Sequence, residues 1–498
     1  MLAPGDIERL REALAPFTVD AAYERLGAEA HHALMRNEST PAERRTRDED
    51  ALATLLRLFS LQLVVHETAA HRALPGLLDP LLAAGILARE GDRVRALVDI
   101  RPYGDEVHDW WVVCDLTPTL DGRNTPIASD YVLGVSQAST SLAGLTVREP
   151  MGTALDLGTG CGVQSLHLAQ HCEHVMATDV NDRALSMARL TAGLNGIDID
   201  VRAGDLFEVA GAATFDLITT NPPYVISPPG SEQLVYRDAG LNGDEVVRRI
   251  VTEARQHLNP GGWCQILANW IHPADGSWQE RLRDWLRPTG LDAWVVQRER
   301  VDPAQYVELW LADAGLSGAP DYTERYDAWL SWMDEYGIAA IGFGWLCLRH
   351  AGRDEPVITI DEWSGPVSGP PANDILRWAN GNDAISARDV LDDHWRMADD
   401  VVLETMRTPG AEHPTSIAVR KLRGLCRTRK LSTLEAGFVD ACDGELSAGA
   451  IAGALAQLLE SDSSQVAGQL RRAVVEMAAD GFILPAPEPS GVNGNRLA

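Results

Sequence analysis

Three features of this 498-residue chain predict an α/β fold of the Rossmann-like, doubly wound kind, with helical domains on either side of it. Thr153–Val163 reads as a short buried strand, a turn carrying Gly158, Gly160 and Gly162, and a helix N-terminus, the parts of a nucleotide-binding unit. Apolar runs at 154–157, 174–179, 199–202, 215–219, 263–268, 292–298 and 339–348 alternate with helical stretches at 163–171, 182–194, 244–258 and 276–286. That order predicts a mostly parallel seven-stranded sheet with helices on both faces, and a ligand beyond the C-terminal strand ends. The flanks lack this alternation, so the expected division is 1–125, 126–370 and 371–498.

Composition narrows the class. The chain is too long for one hydrophobic core, and 45% hydrophobic with 23% charged residues is ordinary for a soluble protein. No apolar run reaches the ~18 residues of a membrane span. The charged stretch Met1–Arg11 is helical in pattern and lacks a secretory apolar region. Seven scattered cysteines without a C-x-x-C pair predict reduced thiols, a cytoplasmic location and no zinc site. A net charge of −29 disfavours indiscriminate binding to nucleic acid or anionic membrane. A monomer is expected.

In chain order, Ile7–Leu14 and Val19–Leu26 show helical spacing, with Thr18 placed as an N-cap. After the Arg-rich connection 36–50, helices are expected at Leu52–Leu63 and Leu77–Leu87. Two alternating runs follow, Val94–Ile100 and Trp110–Asp115. Helix, helix and hairpin fit either a winged helix or a generic helical cap. The linker Thr117–Asp130 carries Pro118, Gly122, Asn124 and Pro126, a domain boundary by composition. The segment Pro303–Tyr336 is aromatic-rich and reads as core that can wall a substrate cleft. Residues 356–410 yield one strand, Val357–Ile360, and no function. Helices are expected at Ser416–Leu425, Leu434–Cys442, Ala448–Leu459 and Gln465–Ala479, closed by a strand at Gly481–Leu484. This pattern, at about 413–485, resembles a small winged-helix module, and the tail from Pro485 is Pro/Gly-rich.

The chemistry-bearing positions fall at strand ends. The turn is D-x-G-x-G-x-G (Asp156, Gly158, Thr159, Gly160, Gly162), and Val163 occupies the place where a dinucleotide fingerprint has Gly or Ala. Asp179, followed by Val180, ends the second strand about 20 residues beyond the glycines, where an acid accepts hydrogen bonds from ribose hydroxyls. The third strand ends in Asp205-Leu206, and the fourth in Asn221-Pro222-Pro223-Tyr224. The Asn221 side-chain oxygen and the Pro222 carbonyl can accept N–H bonds from a planar nitrogen, orienting it and raising its electron density. The prolines stiffen the loop, and Tyr224 can stack on the planar group.

Residues 150–270 resemble the class I S-adenosylmethionine (SAM) methyltransferases, in particular the HemK-type branch that methylates glutamine amides. D-L-G-T-G-C-G and N-P-P-Y-V match that branch, Ala239–Asp244 resembles its post-motif glycine stretch, and Asn259-Pro260-Gly261-Gly262 fits the turn before its fifth strand. The resemblance implies SAM bound by Asp156, Gly158, Thr159, Gly160, Gly162, Asp179, Val180, Asp205, Leu206 and Asn221. It implies catalysis by Asn221, Pro222 and Tyr224, with Asp205 and the Leu206 N–H meeting adenine. The family's Pro-Arg-Pro-x-Thr-Glu run is replaced by Val135–Thr140, where Ser139 or Thr140 is a candidate for the methionine carboxylate. The acceptor is then a macromolecule, either a glutamine in a translation protein or an exocyclic amine of RNA or DNA. The alternatives are a small-molecule N-methyltransferase and a non-catalytic SAM-binding protein.

Two further groups stand apart. His167 and His171 have metal-ligand spacing, with His174 beyond them, but such a pair is more often a surface feature, and no metal is expected. Arg420, Lys421, Arg423, Arg427, Arg429 and Lys430 include both of the chain's lysines. They read either as a helical contact for nucleic-acid phosphates or as a solvated face pairing with nearby acids.

Overall fold

The runs between 151 and 362 assemble into one sheet in the computed structural model, which describes residues 2–486 except 49, 123–126, 229–234 and 236–242. Its strands are β1 (Met151–Leu157), β2 (Cys172–Asp179), β3 (Asp200–Ala203), β4 (Phe215–Thr220), β5 (Leu258–Pro273), β6 (Asp292–Val301), β7 (Ile338–Arg349) and β8 (Ile358–Glu362). The order is β3-β2-β1-β4-β5-β7-β6-β8. Strands β1 to β5 run parallel, β7 is antiparallel to both β5 and β6, and β8 lies parallel to β6. The sheet therefore has eight strands where seven were expected: the run assigned to no function, Val357–Ile360, supplies the extra edge through Ile358–Glu362.

Helices α1 (Val163–Leu168), α2 (Asp182–Asn195), α3 (Glu245–Ala254) and α4 (Trp278–Leu286) connect the strands. The insertion between β6 and β7 is a helical pair, α5 (Pro303–Asp313) and α6 (Tyr322–Glu335). Its aromatic stripe is core, as the pattern predicts: Tyr306, Trp329 and Trp332 pack with Val225, Ile226, Ile271 and Ile341. A separate core under the central sheet joins Leu155, Ile218, Ile250, Ile266 and Trp285.

The chain forms two compact units, 1–143 with 149–362, and 144–148 with 363–498. Within the first, the N-terminal helices Pro4–Leu14 and Val19–Leu34 share a core with Val163, Leu166, Ala184 and Met187. Thr18 caps the second of these helices by accepting the Ala21 N–H at 3.1 Å. Leu52–Leu63 is helical only to Ser60, and Leu77–Leu87 shortens to a helix at Leu78–Ala83. The run Val94–Ile100 is not one strand. Arg93–Ala96 pairs back with Leu87–Glu90, and a new hairpin starts at Asp99–Gly104 against Asp109–Cys114. The expected linker residues Asn124 and Pro126 lie outside the described residues, as does the tail from 487.

The second unit contains the clearest correction. Ser416–Leu425 is a strand, Ser416–Lys421, paired with Val401–Met406 and with Thr428–Leu431. Ile417 and Val419 alternate on one face, and β-branched residues fit a pleated surface better than a helix. The other three expected helices are present at Thr433–Asp440, Ala448–Leu458 and Ser463–Ala479. Among the described residues no helix is long and apolar enough to cross a membrane.

Candidate active site

A cleft of 440 Å³ opens at the C-terminal ends of β1, β2 and β4. Its floor is the glycine turn. Gly158, Gly160 and Gly162 take φ of +76°, +54° and +88°, a region that side chains with a Cβ avoid. The first two face open space, whereas Gly162 sits against Ala188 of α2 and permits close helix packing.

Asp156 lies behind this turn rather than in the cleft. Its Oδ2 accepts bonds from Thr159 Oγ1 (2.6 Å), Ser165 Oγ (2.6 Å) and the Ser165 N–H (3.0 Å). It therefore shapes the loop that holds a ligand, while Thr159 itself lines the cleft. Burial outweighs those bonds and pushes the Asp156 carboxyl up to about 6. A raised acid binds its proton more tightly in the folded state, so its stabilisation is complete below about pH 4 and is lost as pH rises through about 6. The Asp156→Asn variant is expected to lack this fall, roughly 2–3 kcal/mol. Urea denaturation of both proteins between pH 4 and 7 checks it, and parallel curves would refute it.

Asp179 ends β2 in the cleft. Its Oδ2 accepts the Gly160 N–H and its Oδ1 the Asn181 N–H, both at 2.9 Å. Burial raises its pKa, against those backbone bonds. Val180, Asp205 and Leu206 line the same wall. Asp205 is half exposed and lies 3.8 Å from Arg249, a cation on α3 that also lines the cleft.

Beside the turn stand Asn221, Pro222 and Pro223, because Thr220 of β4 pairs with Leu157 of β1. Asn221 Oδ1 is buried and has no hydrogen-bond partner among the described residues. Its strand is secured by Thr220 Oγ1, which donates to the Leu157 carbonyl at 2.7 Å. Tyr224 departs from expectation: it is not among the cleft-lining residues but packs on the core beneath the sheet, and burial pushes its phenol up to about 12. Of the stretch 239–244, residues 239–242 lie outside the described residues. Asp244 is buried and takes the Arg281 guanidinium and the Ile271 N–H, fixing the start of α3.

Residues 134–285 match the family described as methyltransferase small domain. This segment is similar to class I methyltransferases, the HemK type among them. Over 120 residues the chain is 39% identical to a ribosomal protein uL3 glutamine methyltransferase of Bradyrhizobium diazoefficiens, covering 22% of this chain and 38% of that protein. A ribosomal RNA small subunit methyltransferase C of Salmonella arizonae is 31% identical over 180 residues, 36% of this chain and 46% of that one. A release factor glutamine methyltransferase of Geobacter sulfurreducens is 34% identical over 131 residues, 24% and 46% of the two chains. The chain thus spans less than half the length of these relatives. Residues 14–97 match a family described as a domain of unknown function.

The residues lining the cleft fit SAM, the cofactor that the methyltransferase resemblance implies. The open glycine turn and the Asp179 carboxylate supply a backbone cradle and a hydroxyl acceptor. Replacing Asp179 by alanine is expected to weaken SAM binding by about 1.5–3 kcal/mol, a charge-assisted hydrogen bond lost from a site. Calorimetry decides it, and unchanged affinity would remove Asp179 from the methyltransferase site.

Sequence reasoning missed one wall of the methyltransferase cleft, Tyr131–Gly134. Asp115 holds it there, accepting the Val132 N–H at 2.7 Å and Arg183 Nε at 3.0 Å, and Asn181 Nδ2 donates to the Asp130 carbonyl at 2.8 Å. Ser139 also lines the cleft, and its carbonyl takes Gln164 Nε2 at 2.8 Å. Thr140 instead returns its hydroxyl to the Ser136 and Gln137 carbonyls within its own helix. His167 is not a surface residue: it is buried, with Nε2 2.7 Å from the Tyr103 hydroxyl and its ring edge-on to Trp110.

Proposed function

We propose that this chain transfers a methyl group from SAM to a planar nitrogen of a macromolecule of the translation apparatus. The observation that carries the reading is the Asn221 oxygen, buried without a partner among the described residues in the cleft lining beside the glycine turn. An orphaned acceptor of that kind is costly unless a ligand donates to it. When bound, SAM supplies an electrophilic methyl group on a sulfonium. Asn221 accepts an N–H of the incoming amide or amine, which orients the nitrogen and pushes density onto it. Pro222 and Pro223 stiffen the backbone that aims this side chain. Asp179 and Asp205 hold ribose and adenine, and Thr159 and Asp156 keep the turn in shape.

A protein glutamine is the acceptor we favour. Four of the six cations between Arg420 and Lys430 are engaged within their own unit. Arg420 meets Glu404, Lys421 meets Asp374, Arg427 meets Asp480, and Arg429 meets Glu435 and Glu476. Arg423 and Lys430 remain exposed on the hairpin, and two cations are a small phosphate surface beside a net charge of −29. The second reading, a base amine of RNA, is favoured by the ribosomal RNA methyltransferase among the relatives.

We further take residues 1–125, 126–370 and 371–498 as separate domains. A winged-helix-like form of the flanks is part of this proposal, and a three-stranded sheet is present in each. Val65–His66, Leu87–Glu90 and Arg93–Ala96 pair with the last strand central, and His394–Met397 is central between Asp443–Ser447 and Ile483–Pro485. A cytoplasmic location fits the unbridged cysteines, six of the seven buried; a monomer is part of the same proposal. The experiment is transfer of labelled methyl from SAM into cell extract, followed by protease or nuclease. Label released by protease alone supports the glutamine, release by nuclease selects the RNA amine, and no incorporation at all overturns the proposal.

A further inference from the structure

We propose that Tyr306 and Trp329, on the inserted helices α5 and α6, are positioning residues that hold the N-P-P-Y loop in its productive path. The inference rests on the transfer reading above and names what keeps Asn221 aimed. The Asn221 oxygen has no partner among the described residues, so its direction depends on the course of the backbone through 221–226. That stretch is pinned at both ends. At its start, Thr220 Oγ1 donates to the Leu157 carbonyl at 2.7 Å. At its end, Ile226 is gripped on both backbone groups by side chains of the insertion. Its N–H donates to the Tyr306 hydroxyl oxygen at 2.8 Å, and its carbonyl accepts Trp329 Nε1–H at 3.1 Å.

The grip is built, not incidental. Tyr306 and Ile226 are both wholly buried, so neither backbone group of Ile226 has water as a substitute. The Tyr306 oxygen is itself held, accepting Asn269 Nδ2–H from β5 at 2.9 Å. The helical pair thus converts an irregular loop leaving β4 into a segment tethered to two neighbouring elements. Rigid support of this kind is what an orienting electrostatic group requires, since a displacement of about 1 Å can cost 10²-fold in rate.

The test compares full-length parent, Tyr306→Phe and Trp329→Phe. Three measurements are made: methyl incorporation from labelled SAM into cell extract at saturating SAM, SAM affinity by calorimetry, and amide hydrogen exchange of peptides covering 221–228 and 156–164. Tyr306→Phe keeps the ring and removes only the oxygen. It should lower turnover tenfold or more, leave SAM affinity within twofold, and speed exchange in 221–228 but not in 156–164. Trp329→Phe should move all three in the same direction. Parent-like turnover and exchange in Tyr306→Phe would overturn the inference, and so would faster exchange in both peptides, the sign of a merely structural role. If the parent itself transfers no methyl, the functional reading falls. Exchange then decides alone: acceleration confined to 221–228 supports the tether, and unchanged exchange refutes it.

Discussion

Replacing Asn221 by alanine is expected to lower methyl transfer by about 10²-fold or more, the scale of one preorganised electrostatic group removed from a reaction centre. SAM affinity should stay close to that of the parent, because the glycine turn, Asp179 and Asp205 are untouched. The asymmetry follows from where the residue sits. Asn221 follows the end of β4 beside the turn, and its oxygen is buried with no donor among the described residues. Losing it removes an interaction made by the acceptor nitrogen as it becomes nucleophilic, so kcat falls while cofactor binding does not. Steady-state incorporation of labelled methyl beside calorimetry separates the two quantities. Near-parental turnover in Asn221→Ala would move catalysis away from the N-P-P-Y loop.

The second large effect belongs to stability of the C-terminal unit. Lys421 and Asp374 form an ion pair with side-chain exposures of 1% and 2%. Lys421 Nζ donates to Asp374 Oδ1 at 2.8 Å and to the Asp480 carbonyl at 2.7 Å, while Asp374 Oδ2 accepts the Leu425 N–H at 2.7 Å. Burial lowers the lysine pKa, and the facing carboxylate opposes that shift. Lys421→Met should therefore destabilise this unit by about 3–5 kcal/mol, because it leaves the Asp374 charge buried without its partner. Adding Asp374→Leu to that variant should recover part of the loss, since a packed apolar pair avoids the desolvation cost. Urea denaturation followed by a probe in 363–486 reads both. Equal stability of Lys421→Met and parent would show that the pair contributes nothing net.

That pair also explains how the basic cluster misleads. Six cations in eleven residues look like a surface on a helix. The strand Ser416–Lys421 instead turns Lys421 inward, and the hairpin brings Arg427 and Arg429 against acids 47 to 53 positions away in the sequence, such as Asp480 and Glu476. Val419 and Lys421 are both buried on one face of that strand. The strand itself depends on partners at Val401–Met406 and Thr428–Leu431.

The sequence by itself determined the glycine turn, the order of the strands, and the carboxylate and amide at the ends of β2, β3 and β4. Those features are local: a positive φ, an apolar strand and the residue that follows it are written within a few positions of each other. Tertiary structure alone decided that Asp156 braces the loop, that Tyr224 turns into the core, and that Tyr131–Gly134 and Arg249 complete the cleft. It also decided that Tyr306 and Trp329 reach back some 80 and 103 residues to hold Ile226. A hydrogen bond between groups so far apart in the chain leaves no periodicity behind it. It exists because buried backbone donors and acceptors must be satisfied, and packing settles which side chain is near enough to do so.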